Sequence, residues 1–68
     1  MERMEPNRTY IGVSGNEECV ERLTILRVDD DSGMAEVAEH RNGDGPFHYV
    51  KPLSEIRREL AEGILRES

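Results

Sequence analysis

The apolar positions of this chain change period once, near Pro52. Before it, apolar and polar residues alternate in short runs separated by turn residues, the mark of β-strands. Thr9-Tyr10-Ile11-Gly12-Val13-Ser14 is β-prone, and Gly12 within it predicts a bulge or a close backbone approach. Ser14-Gly15-Asn16-Glu17 reads as a turn. Cys19 to Asp29 is the longest strand, but its alternation is imperfect: Leu23 and Ile25 share one face, Leu26 and Val28 the other. A flat, half-buried strand does not do this. Either a bulge between Leu23 and Leu26 resets the register, or the strand bends and buries different faces at its two ends. Both readings predict a curled sheet.

Asp29-Asp30-Asp31-Ser32-Gly33 is a turn, with aspartate side chains to cap it and Gly33 to supply a positive φ. Met34 to His40 returns with Ala35 and Val37 on one face and Glu36, Ala38 and His40 on a more polar one. Arg41 to Pro46 is a second turn around the hairpin signal Asn42-Gly43. Phe47 to Val50 is a short strand, with Pro46 at its start where proline is tolerated.

From Pro52 the spacing becomes helical. Leu53, Ile56, Leu60 and Ile64 recur at three and four, with Ala61 on the same side. Pro52 suits the first helical position, or Ser54 the cap. Gly63 is a stop signal that leaves Ile64 and Leu65 beyond it; a helix running through Gly63 would instead pair Glu62 with Arg66. The expectation is an α+β domain over residues 8–68, with strands at about 8–14, 19–29, 34–41 and 46–51, a helix at about 53–64, and a frayed tail over residues 1–7. The sheet is expected to be small, antiparallel, strongly bent and four-stranded, with one C-terminal amphipathic helix.

Composition narrows the function. Sixty-eight residues make one small domain, which hides only about 60% of its unfolded surface. The net charge is −6, and it is uneven: residues 1–50 carry five Lys/Arg against eleven Asp/Glu, while residues 51–68 carry four of each. A body of that sign repels phosphates at long range. Cys19 is the one cysteine and cannot staple its own chain, which fits a reducing compartment. The first seven residues hold no apolar core of signal-peptide length, so a cytoplasmic location is expected, and Asn7-Arg8-Thr9 is read as a chance glycosylation triplet.

In its pattern the chain resembles small SH3-like barrels built from short sequential hairpins. The likeness is carried by the Val20–Val28 strand, the Asp29–Gly33 turn, the Met34–Ala38 strand, the turn at Gly43 and Phe47–Val50, and covers roughly Thr9 to Leu53. It implies a half-barrel and, on such barrels, peptide or methylated side-chain binding by exposed aromatics. The long final helix departs from the plainest members.

No catalytic constellation emerges. Counted from Asp29, a calcium loop would need glycine at its sixth position and glutamate at its twelfth; glycine falls fifth and His40 twelfth. Cys19, His40 and His48 lack metal-ligand spacing. Cys19, at a strand start, suits a small apolar role. Neither Gly12-Val13-Ser14-Gly15 nor Asn42-Gly43-Asp44-Gly45 leads into a helix, as a phosphate loop must. The expectation is therefore no enzyme, no cofactor and no metal.

What remains are contact surfaces. Tyr10 and Tyr49 would form an aromatic platform or, more simply, cover the core edge with hydroxyls in water. The helix stripe is longer than a small sheet needs, so its far end, with Ile64 and Leu65, would protrude and could pair with a second copy, and Leu60 joins them as a candidate contact residue. A small non-catalytic protein-interaction module, with the helix C-terminus or the Tyr10/Tyr49 face as its partner surface and self-association as one option, is the leading reading. An acidic decoy for a nucleic-acid-binding protein is the alternative, with Asp29, Asp30, Asp31, Glu36 and Glu39 as its patch. A nucleic-acid module using Arg8, Arg22, Arg27, Arg57 and Arg58 comes third.

Overall fold

The computed structural model describes residues 6–16 and 19–67. The elements are β1 (Thr9–Gly12), β2 (Val20–Asp29), β3 (Met34–Arg41), β4 (Asp44–Pro52), α1 (Leu53–Ala61) and β5 (Leu65–Glu67). They form one antiparallel sheet in the order β4-β3-β2-β1-β5. The domain is α+β as expected, but the sheet has five strands rather than four. The extra strand arises where the helix ends early, at Ala61 rather than near residue 64. Gly63 adopts φ 79°, which turns the chain out of the helix, and Ile64 and Leu65 return along β1. Val13 donates its N–H to the Ile64 carbonyl at 2.8 Å, and Leu65 pairs with Gly12. A three-residue strand carries too little periodicity to be seen beforehand, and Ile64 at four from Leu60 mimics a continuing helix.

Of the expected tail, Met1–Glu5 lies outside the described residues. Pro6 and Asn7 form a turn, and the Asn7 N–H donates to the Ile25 carbonyl at 2.6 Å. Glu17 and Glu18, between the first turn and Cys19, also lie outside.

The two readings of β2 resolve to a bulge. Ile25 pairs with Val37 and Arg27 with Glu36, so Leu26 is the extra residue. The step returns Val28 to the face that holds Leu23 and Ile25, opposite Ala35. A second shift lies between Val20 and Arg22. Tyr10, Leu23, Ile25, Ala35 and Val37 line one sheet face, and Leu53 and Ile56 of α1 pack on it with Leu65. Each such aliphatic side chain contributes about 1.5–3 kcal/mol by leaving water.

Gly12 makes the predicted close approach. A Cβ there would lie 1.7 Å from the Val20 carbonyl oxygen. The same carbonyl accepts from Asn16 Nδ2 at 2.9 Å; that amide also donates to Val13 O at 2.6 Å, and its Oδ1 accepts the Val20 N–H at 3.0 Å. One side chain therefore closes the whole β1–β2 connection.

The helix starts without a side-chain cap. Pro52 is the N-cap residue rather than the first helical one, Ser54 lies inside the helix, and the Leu53 N–H donates to the Gly33 carbonyl at 2.8 Å. The aspartate turn thus has a structural role. Asp29 Oδ1 accepts from the Asp31 and Ser32 N–H groups and shapes the loop that meets the helix.

Candidate functional site

The two faces of the β3–β4 half carry the unusual chemistry. On the inner face, alternation along β3 brings Glu39 inward after Ala35 and Val37, and pairing places Tyr49 opposite Val37 and Lys51 opposite Ala35. Helical spacing brings Glu59 inward one turn after Ile56. Glu39, Lys51 and Glu59 are 1%, 6% and 0% exposed. Burying such charges is costly unless each has a partner. Here Lys51 Nζ pairs with Glu59 Oε1 and lies 4.0 Å from Glu39 Oε1. Glu39 Oε1 accepts from the Tyr49 hydroxyl, and its Oε2 from Arg41 Nε. Two carboxylates and two cations make a neutral set.

Burial pushes the Tyr49 phenol above the usual tyrosine range, and the hydrogen bond to Glu39 adds to it. The same carboxylate raises the Arg41 guanidinium, chiefly through their hydrogen bond. The Tyr49 hydroxyl is therefore bound to Glu39, not left in water. The set ties β3, β4 and α1 together.

The outer face is different. Leu26, the extra residue of the bulge, is 45% exposed, and Val50 is 54% exposed. They line a shallow groove of about 380 Å³ with Glu36, Val37, His48 and Tyr49. Phe47, half exposed, lies on the other parity of β4, opposite Glu39.

The expected contact residues sit elsewhere. Tyr10 and Leu65 are buried in the core at 3% and 2% exposure, so there is no Tyr10–Tyr49 platform and no protruding Leu65. Leu60 and Ile64 are half-buried against the same core, and Ala61 is exposed. The cause is β5, which folds the end of the apolar stripe back onto β1. Cys19 is exposed with φ 57°, just before β2, and fills no apolar niche. Among the described residues no three His, Cys, Asp or Glu side chains could hold a metal ion together. No helix of the described residues is long and apolar enough to cross a membrane.

Sequence reasoning missed Glu39, Lys51 and Glu59 as a group, although two signals were present. Glu39 falls on the inward parity of β3, and Glu59 on the inward stripe of α1. It also did not single out Leu26 and Val50, although plain alternation from Ile25 and from Tyr49 turns both outward. Compared with known proteins, the chain matches no family model, no curated protein and no solved structure.

Proposed function

We propose that this chain is a small, non-catalytic protein-interaction module whose contact surface is the outer face around Leu26 and Val50. The observation that carries this is the pairing of those two exposed aliphatic side chains in one groove of an otherwise charged surface. Exposed apolar residues gathered over a groove gain free energy when a partner covers them. The strand order, with sequential hairpins, a helix after β4 and a last strand returning beside β1, supports an SH3-like half-barrel as the scaffold.

The charge distribution favours this reading over its rivals. Of the acidic patch, Glu39 is buried and Glu36 lies 3.6 Å from Arg27. Asp29 is engaged by its own turn. Of the basic residues, Arg8 pairs with Glu67 at 2.8 Å, and Arg58 with Glu55 and Glu62 at 2.8 and 3.0 Å. Glu39 is thereby withdrawn from the acidic set, and Arg8, Arg27 and Arg58 each stand beside a carboxylate, while Asp29–Asp31 stay exposed in their turn.

A quantitative pull-down in low and high salt tests the proposal. Capture should survive high salt and the Asp29→Asn, Asp30→Asn, Asp31→Asn triple change, and fall steeply with Leu26→Glu. Capture that vanishes with salt and with the aspartates, and ignores Leu26→Glu, would replace the module with the acidic decoy.

A further inference from the structure

We infer that the free edge of β4 is self-complementary and joins a second copy of this chain in an antiparallel pair centred on Tyr49. The backbone of β4 fixes which groups face outward. Leu53, one step beyond the Met34–Pro52 pair, donates its N–H inward to Gly33. Inward and outward bonding alternate along an antiparallel strand. Lys51 and Tyr49 therefore bond toward β3, whereas Pro52, Val50 and His48 face the open edge. Pro52 has no N–H, and as the N-cap it turns its carbonyl into the helix. Pro46, in the bulged start of the strand, has no N–H either. The edge therefore offers a window of two full residues, His48 and Val50, closed by a proline on each side.

That window is symmetric. Read from Tyr49 outward, the edge-facing positions run Val50 then Pro52 in one direction, and His48 then Pro46 in the other. Turned about an axis through Tyr49, His48 of one copy meets Val50 of the other, and the prolines meet each other. Both His48–Val50 pairs are narrow pairs, each exchanging two N–H···O bonds. Shifting the register by two residues toward Pro52 sets His48 against a residue with neither an N–H nor a free carbonyl and halves the bonds, while shifting toward Pro46 sets Val50 against a residue that donates nothing in return. A foreign strand has no reason to match the proline spacing; a second copy matches it by construction.

Side chains and charge agree. From Phe47 to Pro52 there is no acidic residue, so two copies of a chain of charge −6 meet without opposed carboxylates. Phe47 would lie across from Lys51 of the second copy and beside its Tyr49. Val50 would be covered in part by His48 of the second copy. The axis preserves the sheet face, so both Leu26–Val50 grooves open on the same side of one continuous sheet. This pairing does not rest on the proposed function: Leu26 lies outside the window, and His48 carries the edge.

The test is amide hydrogen exchange read by NMR across a wide concentration series, with sedimentation run in parallel. The expected result is a weak dimer in which the His48 and Val50 amides gain at least tenfold protection with concentration, while the Tyr49 and Lys51 amides are protected throughout. His48→Pro removes one outward donor and should abolish the dimer while leaving the circular dichroism unchanged. Three results would overturn the pairing: a monomer through the millimolar range, a dimer whose His48 and Val50 amides stay fast, or a folded His48→Pro protein that dimerises like the parent. If His48→Pro does not fold, the exchange data on the parent chain decide alone.

Discussion

The two ends of the sheet are held to the same body by opposite means. At the β1–β5 end the anchors are apolar and steric: Tyr10 and Leu65 are buried, and Gly12 lies against the Val20 carbonyl. At the β4 end the anchors are charges: Lys51 on Glu59, Tyr49 and Arg41 on Glu39. Contact by shape tolerates no added atom. Contact by buried charge tolerates small shifts in shape but fails when one partner is removed. The difference also suits the edges. β5 is three residues long and ends in the exposed pair Arg66 and Glu67, a poor template for another strand. β4 is nine residues long, and what limits it is the placement of Pro46 and Pro52.

Gly12→Ala should have the largest effect, because it strikes the steric end where there is no slack. The new Cβ would sit 1.7 Å from a backbone oxygen, and no side-chain rotation relieves that. The expected outcome is a loss of about 4 kcal/mol or more, enough to leave little folded protein in a domain this small. Thermal and urea unfolding measure it. A cost below about 1 kcal/mol would mean that β1 can move away from β2, and the contrast between the two ends would collapse.

Lys51→Met comes next and strikes the ionic end. It leaves Glu59 and Glu39 sharing a buried site without their ammonium, at a cost of about 3–5 kcal/mol. The double change Lys51→Met with Glu59→Leu removes the pair instead of breaking it, and should recover most of that loss. A double variant as unstable as the single one would show that Lys51 acts through its packed stem rather than its charge. Because the pair is buried, added salt should change its contribution little.

These two variants also mark what the sequence allowed one to read. The turn signals at Asp29–Gly33 and Asn42-Gly43, and the period change at Pro52, located three hairpin-forming strands and the helix, because each signal is local. The close approach at Gly12 was legible for the same reason: a glycine interrupting a strand marks a bulge or a neighbour too near for a Cβ. β5 was not legible, since Ile64 satisfies the helix period and only contact with β1 makes it a strand. The ionic set was half legible. Glu39 and Glu59 occupy inward positions, but their burial depends on Lys51 and Tyr49 arriving from β4, and long-range pairing carries no local mark. The expected protrusion of Leu65 was not met for one physical reason: β5 folds the chain end back along β1, and the large apolar side chains left exposed are Leu26, Phe47 and Val50.

Asn16→Ala returns to the steric end with a milder change. It deletes the amide that holds Val13 and Val20 while leaving Gly12 in place. Its bonds are only part-buried, so water replaces them in part, and the expected loss is about 1–2 kcal/mol by urea unfolding. Faster amide exchange should be confined to the β1–β2 connection, with β3 and β4 unaffected.

The smallest effect is a pH dependence at the β4 end. Tyr49 is an acid whose folded pKa is raised, so its neutral form is favoured by folding. The stability it contributes is fully present below the unfolded tyrosine value of about 10 and is lost as pH rises from there toward the folded value. Tyr49 is half-buried, and solvent screens part of the interaction, so the decline should be shallow. Urea unfolding followed from about pH 8 to 11, across the tyrosine range, should show the parent chain weakening at the alkaline end. Tyr49→Phe should flatten that slope, at the expense of the hydrogen bond to Glu39 at neutral pH. Asn16→Ala should lower the whole curve without changing its slope, since nothing it removes titrates. If both variants keep the parent slope, the alkaline loss belongs to another group, and the β4 end owes less to Tyr49 than its bond to Glu39 implies.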